Sequence, residues 1–383
     1  EPLEPIALNR PLITDVRRKL NAIPLALQIF AHLKSEALPD HSSDFRLSDT
    51  LGRYGDQVFT TVDGQAIQAL VIPGLYTHRG YATFFKMEGL RFVKQALEQN
   101  WVLENPAADQ ASDLNRLYDD LQKLYFAEYE RMWRNLLNNL KVKKAQGIHQ
   151  TVQILDLLSA PDTPLRPLLE AVNKNTSLAT DSAAERTAAK QPAKEGTIEK
   201  TTPRLSQTPP EDSGSFALLE MESRFKELNS LIRGTEKSPP PFDNVLRSLA
   251  DLRDVMMQIG NAAKSEEQAL KMARERMSGA GASDAMKRAQ IEFGRLPEPL
   301  KGWFQQLTSF GWKLALDTAK SELNSIWRTE VLTPYRAGLD QRYPLFSNSR
   351  NDTTKADFCR FFAPNGILDK YFQNHLKPFV DTS

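Results

Sequence analysis

The sequence predicts a mainly α protein, an elongated set of multi-helix subdomains with one small β-hairpin near residues 58–72. Three observations carry that reading. Apolar residues recur at steps of three and four through most of the chain, the spacing that lines one face of a helix. One such stripe runs from about Asp113 to Gln146, longer than an ordinary globular helix. The best strand signal, a pair of runs rich in β-branched residues, falls in one short stretch.

The chain has 383 residues, 40% of them hydrophobic and 25% charged, a globular composition. Its length can bury at least one sizeable core and fits about two or three domains. Lys and Arg total 49 against 48 for Asp and Glu, so the net charge of +1 gives no general pull towards nucleic acid or an acidic membrane. The chain starts at Glu1 without the basic, apolar and small-residue regions of a secretory signal, and reads as a fragment or processed product.

Taken in order, Leu12, Val16, Leu20, Ile23, Leu27, Phe30 and Leu33 share one helical face, with Pro24 expected to kink or divide it. Ala22 to Leu33 is the most continuous apolar stretch, and it falls far short of the ~20 residues that cross a bilayer. Val58–Val62 and Ala66–Ile72 read as strands, and Asp63-Gly64 between them suits a tight hairpin turn. A helix is expected from about Ala82 to Gln99, and a longer one from Asp113, capped by Ser112. Leu114, Leu117, Leu121, Leu124, Met132, Leu136 and Leu140 form its stripe; at ~1.5 Å per residue it would extend roughly 50 Å.

Between Asn173 and Ser215 the only large aliphatics are Leu178, Ile198 and Leu205, and no aromatic occurs. Such a segment cannot offset its ordering entropy by burial and reads as a flexible linker or insertion. It divides an N-terminal helical region, 1–172, from a C-terminal one, 216–383, with the linker at 173–215. In the second region Phe216–Leu231, Val245–Gly260, Glu266–Met277, Asp284–Phe293 and Thr318–Val331 read as helices separated by Gly or Pro. Trp303, Phe304, Phe310, Trp312, Trp327 and Tyr335 are expected to build core.

Chemistry is harder to find. His32, His41, His78, His149 and His375 are scattered, with no pair spaced to hold zinc on one helix face. No nucleophile elbow or phosphate-binding loop occurs, and Gly279-Ala280-Gly281 reads as a turn between helices. His78 beside Arg79, near Tyr76 and Tyr81, could in principle exchange protons while holding an anion, but reads better as a loop stapled by its aromatics. Asp119-Asp120 and Glu266-Glu267 read as solvated helix faces. The lone Cys359 excludes an internal disulfide and, flanked by Phe358 and Phe361-Phe362, is expected to be a small core residue. These residues predict a helical scaffold or binding protein with no catalytic, cofactor-binding or metal residues. An envelope enzyme, such as a cell-wall hydrolase, and a generic helical adaptor are the alternatives.

Two blocks carry a resemblance. The first is Ile72-Pro73-Gly74-Leu75-Tyr76-Thr77-His78-Arg79-Gly80-Tyr81, followed by Phe84-Phe85, Trp101-Val102-Leu103, Tyr125, Tyr129 and Trp133. The second comprises Trp327, Val331, Pro334 and Tyr335, then Arg342-Tyr343-Pro344-Leu345-Phe346, Asp357-Phe358, Phe361-Phe362-Ala363-Pro364-Asn365-Gly366 and Phe372 to Pro378. Leu158-Ser159, Pro164-Leu165-Arg166 and Leu168-Leu169 lie between them. In this order the blocks resemble the periplasmic region of the IcmF/TssM family of type VI secretion systems. The residues expected from that resemblance to be structural or interfacial are Pro73, Gly74, Tyr76, Thr77, Gly80, Tyr81, Trp133, Trp327, Tyr343, Pro344, Phe358, Phe362, Pro364 and Gly366.

The resemblance implies a large inner-membrane protein of a Gram-negative bacterium, with transmembrane helices and a cytoplasmic NTPase-like domain upstream. Its periplasmic part would be a non-enzymatic stalk of the trans-envelope channel, without a cofactor. Implied partners are an outer-membrane lipoprotein of the TssJ type, an inner-membrane protein of the TssL type and further copies of itself in a ring. Family members continue into a β-rich C-terminal domain carrying much of the lipoprotein contact, whereas this sequence stops at Val380-Asp381-Thr382-Ser383. The resemblance therefore assigns this segment mainly to self-association.

Overall fold

The computed structural model describes residues 23–99, 110–179, 213–234, 239–277 and 285–380. In chain order the longer helices are α1 (Leu25–Ala37), α2 (Lys86–Gln99), α3 (Gln110–Asn139), α4 (Ile148–Ser159), α5 (Leu165–Thr176) and α6 (Ser213–Ser230). They continue as α7 (Phe242–Gly260), α8 (Ser265–Met277), α9 (Ala285–Gly294), α10 (Leu300–Ile326), α11 (Lys355–Phe362) and the shorter α12 (Ile367–Tyr371). Among the described residues four short strands are interspersed: β1 (Phe45–Arg46), β2 (Phe59–Thr61), β3 (Val71–Ile72) and β4 (Leu140–Val142). The mainly α class is as the periodicity predicts. Among the described residues no helix is long and apolar enough to cross a membrane.

The described chain falls into two compact units that interleave in sequence. The first takes the residues up to Lys141 together with Pro164–Pro241; the second takes Val142–Thr163 and everything from Phe242. These are not the regions that composition divides at 172 and 216. Helix α6 packs on α3 and α5, and so joins the first unit, while α4 packs on α7 in the second. Residues 180–212 of the expected linker lie outside the described residues, as do the expected N-terminal helix face at Leu12–Leu20, Trp101-Val102-Leu103 and Gly279-Ala280-Gly281.

In the first unit α1, α2 and α6 pack around α3. The buried face of α3 is aromatic, with Tyr118, Tyr125, Phe126, Tyr129 and Trp133 joined by Leu121 and Leu136. Leu114, Leu117, Leu124 and Met132 are half-buried at its margin, so the true stripe is rotated from the leucine one. Ser112 falls within the first turn of α3 rather than ahead of it. The helix ends at Asn139, earlier than Gln146, because Leu140 and Val142 alternate with Lys141 as a strand that buries both.

No hairpin forms at 58–72. β3 pairs antiparallel with β1, Phe45 opposite Ile72, whereas β2 pairs with β4. The Asp63-Gly64 turn is present, with Gly64 at φ +78, but Ile67–Ala69 folds as a single helical turn that buries Ile67. That turn breaks the second run, and each remaining strand finds a partner distant in sequence. Asn139 holds the turn: its Oδ1 accepts from the Val62 amide at 3.1 Å, and its Nδ2 donates to the Asp63 carboxylate at 2.8 Å.

In the second unit α7 packs on α4 and α9, and α8 and α9 pack on α10. An Arg253 to Asp156 ion pair at 3.1 Å crosses between α7 and α4. The helix expected at Thr318–Val331 is the end of the much longer α10, which buries Trp303, Phe304, Leu307 and Ala315. Phe304 meets Phe293 of α9 at 5.1 Å between ring centroids. Of the expected aromatic core, Trp303 and Phe304 are buried, Phe310, Trp312 and Tyr335 are half-buried, and Trp327 is exposed. Past α10, a small cluster of Val331, Leu339, Phe361 and Tyr371 organises the remaining chain.

Candidate interaction surface

The two blocks of aromatic, Pro and Gly residues have opposite fates. The first is built inward. From β3 the chain enters Pro73, and the Gly74 amide donates to Asp44 Oδ1 at 2.7 Å. Gly74–Tyr76 forms one tight helical turn, and Thr77 caps the next: its Oγ1 accepts from the Gly80 amide at 3.1 Å and donates to the Gly74 carbonyl at 2.7 Å. A Cβ at Gly80 would stand 1.9 Å from the Gly74 carbonyl oxygen, so only glycine permits this approach. Beyond it the backbone widens into a π-turn at Tyr81–Phe85 and runs on into α2.

Hydrogen bonds from α3 and α5 hold this loop. The Tyr125 hydroxyl donates to the Leu75 carbonyl at 2.8 Å and Trp133 Nε1 to the Tyr76 carbonyl at 2.9 Å. Asn175 Oδ1 accepts from the His78 amide at 2.8 Å, while the Asn175 carbonyl accepts the Tyr129 hydroxyl. Phe85 stacks on Tyr125 at 3.7 Å, and Tyr81 on the same ring at 6.4 Å. Burial pushes the Tyr125 and Tyr129 phenols well above their ordinary range and raises Tyr76 as well. Pro73, Gly74, Tyr76, Thr77, Gly80, Tyr81 and Trp133 thus meet in one clasp, of which Pro73 and Tyr81 are half-buried and the others buried. Asp44 and Asn175 complete it, and neither carries a sequence signal: their hydrogen bonds close over 30 and 97 residues. In this arrangement the His78 amide serves the clasp while Arg79 faces solvent.

The second block is built outward. From 340 to 380 only Phe361, Gly366 and Tyr371 are buried, although the segment is rich in aromatics. Two main-chain bonds of 2.9 Å close a loop, Tyr343 N to Asn351 O and Thr353 N to Tyr343 O. On this loop Tyr343, Leu345 and Phe346 are exposed. Thr354 then caps α11, its Oγ1 accepting from the Asp357 amide at 3.0 Å. Helix α11 buries one side chain, Phe361; Phe358 and Phe362, with rings 4.8 Å apart, remain 38% and 42% exposed. Cys359 is exposed, against the expectation of a core position, because Phe361 is the one residue of α11 turned into the small cluster. Pro344 and Pro364 are exposed, and Gly366 is buried where a Cβ would meet the Ala363 carbonyl oxygen at 2.6 Å. Trp327, 37% exposed, lies edge-on to Tyr371.

Exposed aromatics gathered on one segment depart from the composition of an ordinary solvated surface. From 341 to 362 they stand among Arg342, Arg350, Lys355 and Arg360, with Asp352 and Asp357 as the acidic residues, so the local balance is basic. Elsewhere in the second unit an open cleft of about 400 Å³ is lined by Asp251, Asp254, Glu275, Arg276 and Trp312. Its charges are satisfied internally: Arg288 pairs with Asp251 at 3.5 Å, Arg253 with Asp254 at 2.9 Å, and Arg276 lies over Trp312 at 4.4 Å. Among the described residues no group of His, Cys, Asp or Glu could hold a metal ion.

Residues 1–177 match the model of the family described as IcmF-related, intracellular multiplication and human macrophage-killing. The chain is 32% identical over 387 residues to the type VI secretion system component TssM1 of Pseudomonas aeruginosa, an alignment that takes in 98% of this chain. It spans about a third, 34%, of that relative's length. Among solved structures it is similar to a chain of a type VI secretion system membrane core complex, with a TM-score of 0.63 at 17% identity over 92% of this chain and 62% of that one. A chain of a type VI membrane complex is similar too, with a TM-score of 0.59 at 16% identity, covering 92% of this chain and 59% of the other.

Proposed function

The chain belongs to the IcmF/TssM family, and from that premise we propose that it is a structural, non-catalytic segment of a type VI secretion membrane complex. It lies in the periplasm as part of an inner-membrane-anchored protein. It contributes to a trans-envelope channel by packing against copies of itself, an outer-membrane lipoprotein of the TssJ type and an inner-membrane protein of the TssL type. The carrying observation is the exposure of Phe358, Phe362, Tyr343 and Trp327 in a segment with almost no core of its own. Side chains of this kind are the anchors that interfaces bury, and a scaffold needs such anchors rather than a reactive group.

Size-exclusion chromatography with light scattering tests this, on the chain alone and mixed with the TssJ-type lipoprotein or the periplasmic part of the TssL-type protein. Self-association or a co-eluting complex is the expected result. A lone monomer in every mixture, at concentrations of tens of micromolar where interfaces of standard size are populated, would remove this segment from the assembly contacts.

A further inference from the structure

His375 is held between opposite charges from two other elements. It follows Tyr371 on the helical run that continues α12 through a π-turn at Phe372–Leu376. On one side Arg274 of α8 places Nη2 2.6 Å from His375 Nδ1. On the other, Glu330, in the π-turn Trp327–Leu332 that ends α10, stands 3.4 Å from Nε2. The Tyr371 ring packs on the imidazole at 5.3 Å, and its hydroxyl donates to the Leu323 carbonyl at 3.0 Å.

A guanidinium is donor-only, so Nδ1 must present its lone pair to Arg274, and the ring proton belongs on Nε2, towards Glu330. The contact therefore requires a neutral imidazole. Arg274 Nε is buried without a hydrogen-bond partner, which leaves the ring nitrogen as the acceptor that compensates the guanidinium's burial. We propose that Arg274, His375 and Glu330 form a proton-sensitive latch, which holds the 367–376 helical run on α8 while His375 is neutral and loosens it when His375 gains a proton.

Protonation puts an N–H on Nδ1 facing the guanidinium, cation against cation at hydrogen-bond distance. Glu330 attracts the charged ring, but it is farther away and its side chain is 56% exposed, whereas that of His375 is 16% exposed. Solvent screens the distant, exposed carboxylate more than the close, partly buried guanidinium, so repulsion dominates. The Tyr371 phenol beside the ring is raised by burial and by Glu330, so it stays neutral throughout the acid range. Loosening is transmitted to the surface, because Tyr371 carries the exposed Trp327 ring against it at 5.1 Å. The latch is a property of this chain alone and does not depend on what that surface binds.

Hydrogen exchange read by mass spectrometry on the whole chain tests the latch, at about pH 7.5 and about pH 5.5 on either side of the imidazole range, with rates corrected for intrinsic chemistry. Peptides covering 367–380 should lose protection severalfold at the lower pH. His375→Gln should keep its protection at both values, since an amide can still accept from Arg274 and donate towards Glu330 but cannot charge. Equal protection of the unmodified chain at the two values, or the same acid loss in His375→Gln, would overturn the proposal. Arg274→Gln provides a second arm should the first variant fold poorly: with the opposing cation gone the acid loss should shrink, and an undiminished loss would count equally against the latch.

Discussion

At Gly80 a missing methyl group decides whether the first turn after Thr77 can form. The three atoms that a Cβ would meet are the Gly74 carbonyl oxygen at 1.9 Å, its carbon at 2.8 Å and Leu75 Cα at 2.9 Å, all backbone and none able to swing aside. Gly80→Ala should therefore cost about 3 kcal/mol or more, the range reached when a packed backbone is forced apart. Gly64 provides the contrast. It has open space around it and a φ of +78, so Gly64→Ala should cost about 1 kcal/mol, a purely conformational penalty. Urea midpoints of the two variants measure the difference, and similar small losses would show that the Gly74 turn can give way. Glycine at both positions was visible in the sequence, but not the reason, because spacing along a chain does not report a 1.9 Å approach across a turn. The exposure of Cys359 has a related cause: aromatic neighbours look the same in sequence whether a helix face meets its own core or solvent.

Helices were legible as helices, whereas the faces they bury were legible only in part. On α3 the leucines at steps of three and four pointed to one stripe, yet the buried face is centred on Tyr125, Tyr129 and Trp133, whose ring edges and hydroxyls find backbone carbonyls in the 72–81 loop and α5. Aromatics with a polar handle can satisfy buried carbonyls that leucine cannot. The π-turns at Tyr81–Phe85, Trp327–Leu332 and Phe372–Leu376 each insert an extra residue and re-aim the side chains that follow, which a 3.6-residue period does not register. Burial of the phenols on and beside α3 has a consequence at high pH. Tyr76, Tyr125 and Tyr129 all have phenols raised above the ordinary value, so the fold favours their neutral forms. That contribution is fully present below about pH 10, the unfolded phenol value, and is lost as pH rises from there towards the folded values. Each phenol held neutral costs about 1.4 kcal/mol per pH unit over that range, so the three together should remove about 4 kcal/mol per unit. Urea midpoints followed by circular dichroism between about pH 8 and pH 11 measure the slope; a midpoint that stays level would mean that these phenols reach solvent in the folded state.

At the scale of the whole molecule, the two blocks that look alike in sequence have different surroundings, the first largely buried and the second largely exposed. Each is rich in aromatics, proline and glycine, but the first has a thirty-residue helix, α3, to receive it, whereas the second has only the cluster around Val331, Leu339, Phe361 and Tyr371. Hydrophobic patterning says that a side chain is to be buried; it does not say by which chain. The family was readable from the order of the blocks, while the division of labour between them needed the fold. That division makes a direct prediction about Phe358 and Phe362. Both are exposed and neighbour Phe361, which is buried, so Phe358→Ser with Phe362→Ser should change the chain's own stability by about 0.5 kcal/mol or less each, as surface substitutions do. Phe361→Ser, by contrast, should lower it by several times as much through the cavity left in the small cluster. If the exposed pair anchors an interface, the double variant should weaken association by about 2 kcal/mol or more, roughly thirtyfold in Kd. Thermal melts and light scattering on the same samples separate the two effects. A well-folded double variant that assembles as tightly as the parent would remove these two side chains from the interface, whereas a loss of assembly at unchanged stability would tie them to a partner's surface.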